Sequence, residues 1–398
     1  STEGSSQCIR AMLFLALQGA PQNGERPVLL AARNAHKALL YAAALLDFDI
    51  RWLWPSAQAE GALCSCPVTA EALTGALHAL AQQGIEPFGV YVTSPDYLGG
   101  VQDIPALAAV CRAQGVPLLV DNAHGAYLRF LPQNCHPIAQ GAAMCCDSAH
   151  KTLPVVTGGA YLHLAHDAPV QDEAAVRGAL ALFGSTSPSY LVLQSLDACN
   201  AVLAGDYPRR LAQCCAALEG LRRSLNKAAA ARQCSLPLAV AGAQQEPMKL
   251  TLDAAALGCT GTALAESLRR AQMECEYADP RYVVLMFTPE NPPQDYTRLQ
   301  TALEQLLAAV PAGLPRPENR AGEFAALQQQ AVQRCTIRQA VLGAQVRVPV
   351  HKALGRVCAM PTVSCPPAIP VAVSGEEITP AAIALMQRYG IEELSVLQ

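Results

Sequence analysis

The sequence has no clustered run of lysine and arginine, its net charge is -4 and its pI lies near 6.1. Nucleic acids and anionic membrane surfaces select a basic footprint, so neither is an expected partner, and small molecules are. Long apolar runs are missing too. Stretches such as residues 11–17 fall well short of the ~20 residues that span a bilayer, and no basic-then-apolar leader precedes them, so the expected location is cytoplasmic. Paired CxxC motifs are also absent. The sixteen cysteines are scattered, and the close sets Cys64 with Cys66, Cys145 with Cys146 and Cys214 with Cys215 lack zinc-site spacing, so most read as reduced core residues. Cys146 and His150 can share a helical face and bind a metal, which is the weaker reading of that pair. Finally, no methionine opens the chain. Residues 1–6 run straight into a helical pattern over 8–18, as expected of a chain shortened at its amino end.

What is present is 398 residues with 52% hydrophobic content, enough for one large core and a smaller second one. Strands over 27–31, 50–54, 88–93 and 116–120 alternate with helices over 36–47, 69–82 and 104–114. Such alternation predicts βαβ units and a mainly parallel sheet, with ligands bound beyond the carboxyl ends of the strands. Asp121 follows the strand over 116–120 and therefore faces that crevice, with Asn122 and His124 beside it; as an alternative it caps the next turn. A further strand is expected over 161–164. After residue 179 comes a hydroxyl-rich loop over 182–190, then helices over 191–203 and 209–226. Strands over 249–252 and 282–287 with helices over 262–271 and 296–310 outline a smaller α/β unit. Residues 314–319 read as a linker, 322–335 as a helix, 361–370 as Pro-rich and 380–389 as a terminal helix. The expected organisation is a large domain over 1–190, connecting helices over 191–245, a small α/β domain over 246–315 and a C-terminal segment over 316–398.

The segment 146–154 carries the chemistry. Lys151 is flanked by Ser148, His150 and Thr152 and is followed by an apolar, Gly-rich run, 153–159, that should be buried. Burial lowers an ammonium pKa, and a neutral amine captures an aldehyde, so Lys151 is the candidate Schiff-base lysine; a solvated loop lysine is the alternative. Gly4, Ser5 and Ser6 at a helix start make an anion site, because unpaired N–H groups and the positive dipole end coincide there. A simple serine N-cap would look the same.

In order, the motifs Gly4-Ser5-Ser6, Asn34-Ala35-His36-Lys37, Thr93-Ser94-Pro95, Asp121-x-Ala123-His124-Gly125-Ala126, Ser148-x-His150-Lys151-Thr152-Leu153-Pro154 and Thr186-Ser187-Pro188-Ser189-Tyr190 resemble the ornithine/lysine/arginine decarboxylase family. Cys365-Pro366-Pro367-Ala368-Ile369-Pro370 and Ser374-Gly375-Glu376 resemble its C-terminal segments. The resemblance implies a pyridoxal-phosphate (PLP) enzyme of the aspartate-aminotransferase-type fold, fold type I: a large domain with a mainly parallel sheet and a smaller α/β C-terminal domain. By position, Ser5, Ser6, Ser148 and His150 would hold the cofactor phosphate. His36 would stack on the pyridine ring, Ala123 would pack on its other face, and Asp121 would pair with the ring nitrogen beside His124. Lys151 would carry the cofactor. Thr186 and Ser187 would reach the phosphate of a neighbouring subunit in a homodimer. The implied reaction is decarboxylation of arginine, lysine or ornithine, with a place in amino acid metabolism and polyamine synthesis.

Departures from the family pattern are the absent N-terminal arm, Asn122 in place of an acidic residue, Asp96 in place of a hydroxyl residue, and Ala368 and Ser374 in place of Gly and Pro. The rival readings are another PLP reaction, aminotransfer or elimination, with Arg281 or Arg356 for the substrate carboxylate, and a PLP-binding protein without catalysis. Glu376 is the expected partner of the substrate's distal cation; otherwise it is a solvated first-turn charge before the terminal helix.

Overall fold

The computed structural model describes residues 1–20, 24–55, 62–240, 244–311, 313, 321–361 and 369–398. The linker expected over 314–319, and Cys365 to Ala368 of the C-terminal motif, lie outside the described residues. A six-stranded sheet organises the first part of the chain, in the order β2-β1-β3-β4-β5-β6. Its strands are β1 (Val28–Ala32), β2 (Asp49–Leu53), β3 (Gly89–Thr93), β4 (Leu118–Asp121), β5 (Met144–Asp147) and β6 (Tyr161–Leu164). The first five pair in parallel, and β6 returns antiparallel to β5. The reason lies in the 148–160 connection, which holds a one-turn helix and no crossover helix of the kind a parallel return needs.

Alternate residues of these strands enter two cores, as a sheet covered on both faces requires. Leu29, Ala31, Tyr91, Leu119, Met144 and Cys146 pack under α1 (Gly4–Gln18) and α2 (Lys37–Leu46). Leu30, Ala32, Val90, Val92, Val120 and Cys145 pack against α3 (Ala70–Ala81) and α4 (Ile104–Ala113). The helix starts follow their caps: Thr69 Oγ1 accepts the Ala72 N–H and Asp103 Oδ1 the Ala106 N–H, which excludes both residues from the helices they begin. Strand β5 is a departure from expectation. Its Cys145-Cys146-Asp147 run is short and merges with the lysine segment, so its role as a sheet strand is set by pairing with β4.

Helices α5 (Ala149–Thr152), α6 (Glu173–Leu182), α7 (Tyr190–Ala204) and α8 (Tyr207–Ala231) lead to a second sheet, β7-β8-β10-β9, all antiparallel. It consists of β7 (Ala239–Val240), β8 (Lys249–Asp253), β9 (Tyr277–Ala278) and β10 (Tyr282–Met286), and it shares a core with α8, α9 (Gly261–Arg270) and α10 (Pro293–Ala309). Beyond α11 (Ala321–Gln330) and α12 (Ile337–Leu342), β11 (Gln345–Pro349) pairs antiparallel with β12 (Glu393–Leu397), and α13 (Pro380–Arg388) packs beside them. Helices α6 and α12 and strands β7, β9, β11 and β12 were not expected from sequence, and the helix expected over 322–335 ends at Gln330. The described cysteines are free thiols, nine of them buried, as core residues should be. Among the described residues no helix is long and apolar enough to cross a membrane.

Candidate active site

Strand β4 ends on Asp121, so its carboxylate stands at the carboxyl edge of the sheet, the edge where α/β sheets take ligands. Asp121 is buried; its Oδ2 accepts from the Tyr91 hydroxyl at 3.0 Å and its Oδ1 from the Ala123 N–H at 3.2 Å. Its neighbour in register, Cys146, directs Sγ to Oδ1 at 3.7 Å. These bonds fix the carboxylate and also place Ala123, so one short turn orients both residues.

His36 is the N-cap of α2, where its Nδ1 accepts the Ala38 N–H at 3.2 Å, leaving the neutral ring's proton on Nε2. Burial pushes its pKa down to about 4, with the Asp121 charge opposing the shift and Lys151 adding to it. The ring is neutral at pH 7 and senses both of the other candidates.

Lys151 sits in α5, directly after β5, and its Nζ lies 3.0 Å from His124 Nε2 and 5.5 Å from the centre of the Tyr97 ring. The Tyr97 and His124 rings meet edge to face at 4.7 Å. Burial first, and then the Lys249 and Lys151 cations, drive the His124 pKa well below its ordinary value, so this imidazole is neutral beside the amine.

The chain's first residues close over this segment. Gly4 donates its N–H to Gly158 O at 2.8 Å, Ala160 donates to Ser1 O at 3.1 Å, and His150 N–H reaches Gly159 O at 3.2 Å, with His150 Nδ1 2.9 Å from the same oxygen. Ser5 and Ser6 thus occupy the first turn of α1 beside the loop that follows Lys151. Glu3, not a serine, is the N-cap, and it makes no side-chain cap, so the simple serine-cap reading does not hold. Ser148 is fully buried and its Oγ has no hydrogen-bond partner among the described residues. A buried hydroxyl without a partner costs free energy unless a ligand meets it. That hydroxyl at the start of α5, and the uncapped start of α1 that Gly4 ties to the loop after Lys151, suit an anionic group.

Thr186 and Ser187, expected to reach the phosphate of a neighbouring subunit, lie exposed between α6 and α7, where Ser187 N–H bonds Ser185 Oγ at 3.1 Å. Glu376 requires a correction. Its two oxygens each lie 2.9 Å from an Arg33 nitrogen, and Oε2 also accepts the Val373 N–H at 3.0 Å. The pair is buried, with the Arg33 guanidinium over the Trp52 and Trp54 rings at 4.9 and 4.7 Å. A guanidinium taken out of water needs a counter-ion, and Glu376 supplies it within the chain instead of meeting a substrate cation.

Sequence reasoning missed Lys249, Tyr91 and Tyr97 as site residues. Lys249 is buried at the start of β8, donates from Nζ to Asp96 O at 2.7 Å, lies 3.9 Å from Glu246 Oε1 and stands 5.8 Å from the Tyr97 ring centre. Burial lowers its pKa against the opposing charges of Glu246 and Asp96, and burial likewise pushes Asp96 up to about 6. The available signal was a lysine opening an apolar strand, which polarity alone assigns to the surface. Arg281 pairs with Asp253 at 2.8 Å and Arg356 bonds Leu397 O at 2.7 Å, so both proposed aminotransferase arginines are engaged elsewhere.

The family profile described as Orn/Lys/Arg decarboxylase, major domain, matches residues 1–294. The chain belongs to this decarboxylase family. It is 27% identical over 369 residues to the uncharacterized protein YaaO of Bacillus subtilis, covering 90% of this chain and 73% of that protein. It is 26% identical over 386 residues to the arginine decarboxylase of the same organism, covering 95% and 75%. In structure it resembles the constitutive lysine decarboxylase of E. coli with a TM-score of 0.72 at 18% identity, covering 100% of this chain and 70% of that one. The likeness places the fold among PLP enzymes of fold type I. Lys151, Asp121 and His36 all stand at the carboxyl ends of strands, on one edge of this sheet. A cavity of about 370 Å³ lined by Pro87, Phe88, Pro117 and Gly141 lies at the amino ends of the strands, away from that chemistry.

Proposed function

We propose that this chain decarboxylates a basic amino acid, arginine, lysine or ornithine, to the corresponding amine and carbon dioxide with PLP as cofactor. The observation that carries the reading is the convergence of Lys151, Asp121 and His36 at the carboxyl edge of the sheet in a chain of this family. When bound, PLP supplies a ring that accepts the electron pair released as the α-carboxylate leaves. Lys151 is the amine that would hold it, kept beside the neutral His124. Asp121, locked by Tyr91 and Ala123, would keep a proton on the ring nitrogen, and His36 would lie against the ring face with Ala123 on the other. Ser148, Ser5, Ser6 and His150 would receive the phosphate.

Exposed Leu182, Tyr190 and Leu191 flank Thr186 and Ser187, which supports reading this loop as a subunit contact in a homodimer. Polyamine synthesis and a cytoplasmic location accompany the reading. The test is incubation of PLP-loaded protein with each basic amino acid, with mass spectrometry of the products and borohydride trapping. Amine formation and an adduct on Lys151 are expected. An oxo acid product would mean aminotransfer, PLP absorbance without turnover would mean a binding protein, and an adduct on Lys37 or Lys249 would overturn the lysine assignment.

A further inference from the structure

Across the sheet from Asp121 lies a second cluster that the decarboxylation chemistry does not use. Cys145 of β5 pairs with His163 of β6, and Asp147 with Tyr161, so the side chains of Asp147 and His163 share one sheet face diagonally. Met144 and Cys146 point to the opposite face, under α1. His136 enters from the turn before residues 137–140, its backbone N–H fixed by Asn134 Oδ1 at 3.1 Å.

Both imidazoles address the same atom. His136 Nε2 lies 3.1 Å and His163 Nε2 2.9 Å from Asp147 Oδ2, and the three ligand atoms all fall within 4.8 Å of one another. The other carboxylate oxygen, Oδ1, accepts from Asn122 Nδ2 at 2.7 Å. That bond orients the carboxylate from behind and leaves Oδ2 for the cluster, the arrangement that outer-shell partners give metal ligands. One side opens to a cavity of about 610 Å³ whose lining includes Arg129, Phe130, Asn134, Tyr161 and Asn200. Two nitrogens and one oxygen within 4.8 Å of one another, beside an open cavity, are the donor set of a zinc site with three protein ligands and an exchangeable fourth.

We propose that His136, Asp147 and His163 form a binding site for a zinc-class divalent cation, with water or a small anion from the cavity as fourth ligand. Each ring binds through a bare Nε2 and carries its proton on Nδ1. The competing account, two imidazoles that simply donate to Oδ2, predicts no metal affinity.

The test is titration of the cofactor-loaded, metal-stripped full chain with Co²⁺, read by its visible d–d absorption. One Co²⁺ per chain is expected, displaced by Zn²⁺, without the thiolate charge-transfer band that binding at the free cysteines would give. Asp147→Asn and His163→Gln should each weaken binding by at least ~100-fold. Because the His163 side chain is 36% exposed, its variant keeps the test usable if Asp147→Asn fails to fold. No saturable binding, a thiolate-type spectrum, or unchanged affinity in folded His163→Gln would each overturn the proposal. PLP content and decarboxylation are measured separately, so loss of the functional reading leaves this result interpretable.

Discussion

At the scale of single residues, environment decides what each charge can do. Asp121 is held by the Tyr91 hydroxyl and the Ala123 N–H, so Asp121→Ala should retain some PLP while turnover falls by on the order of a hundredfold or more, measured as kcat on the preferred basic amino acid. Glu376 neutralises the buried Arg33; Glu376→Gln should cost about 3–5 kcal/mol of stability in denaturant titration and leave KM unchanged in the folded fraction. A raised KM with unaltered stability would return Glu376 to the substrate. His36 gives a pH signature. Its folded pKa, about 4, lies below the ordinary 6.5, so the unfolded chain binds this proton first as pH falls. The neutral-ring contribution is fully present above pH 6.5 and is lost as pH falls toward 4, amounting to about 2 kcal/mol at pH 5. The loss should appear as the difference between wild type and His36→Gln when the cofactor-free protein is denatured at pH 7 and pH 5, because buried Asp96, pushed up to about 6, titrates in the same window with the opposite sign.

At the scale of elements, backbone bonds join the start of α1 to the loop after α5. Gly158 has φ +103°, and a Cβ there would stand 3.1 Å from Thr2 O while its carbonyl receives the Gly4 N–H. Gly158→Ala should therefore lift the start of α1 from the lysine loop, cost about 1–3 kcal/mol and speed PLP loss during dialysis, followed by absorbance. Unchanged PLP retention would separate Ser5 and Ser6 from the phosphate. Gly375 meets a similar demand near the other end of the chain. Its φ is +89° and a Cβ would fall 2.3 Å from Cys335 O, so the turn that delivers Glu376 to Arg33 needs a glycine.

At the scale of the whole molecule, exposed apolar residues gather around the 182–191 loop, with Leu182 60%, Tyr190 83% and Leu191 74% exposed. Such side chains together on one loop point to association, and a two-fold contact repeats them on both subunits. Leu191→Glu with Tyr190→Ser should shift the protein toward monomer in sedimentation velocity and lower activity with it. A monomeric wild-type chain with full turnover would remove Thr186 and Ser187 from the site.

The alternation of apolar strands and helices before residue 121 was legible because each element is long enough to bury a face of its own. The motifs around His36, Asp121 and Lys151 were legible because their chemistry is compressed into a few neighbouring residues. Strand β5, four residues long, had no such local signature and exists because β4 and β6 offer it backbone partners. The partner of a buried charge is likewise a matter of distance in space: Glu376 lies 343 residues from Arg33 in sequence, and Lys249 is 153 from Asp96. His136, Asp147 and His163 share no sequence motif, and only the antiparallel return of β6 puts His163 beside Asp147. Local sequence determined the elements and the lysine segment; desolvation and long-range pairing decided which charges face the site and which are held within the fold.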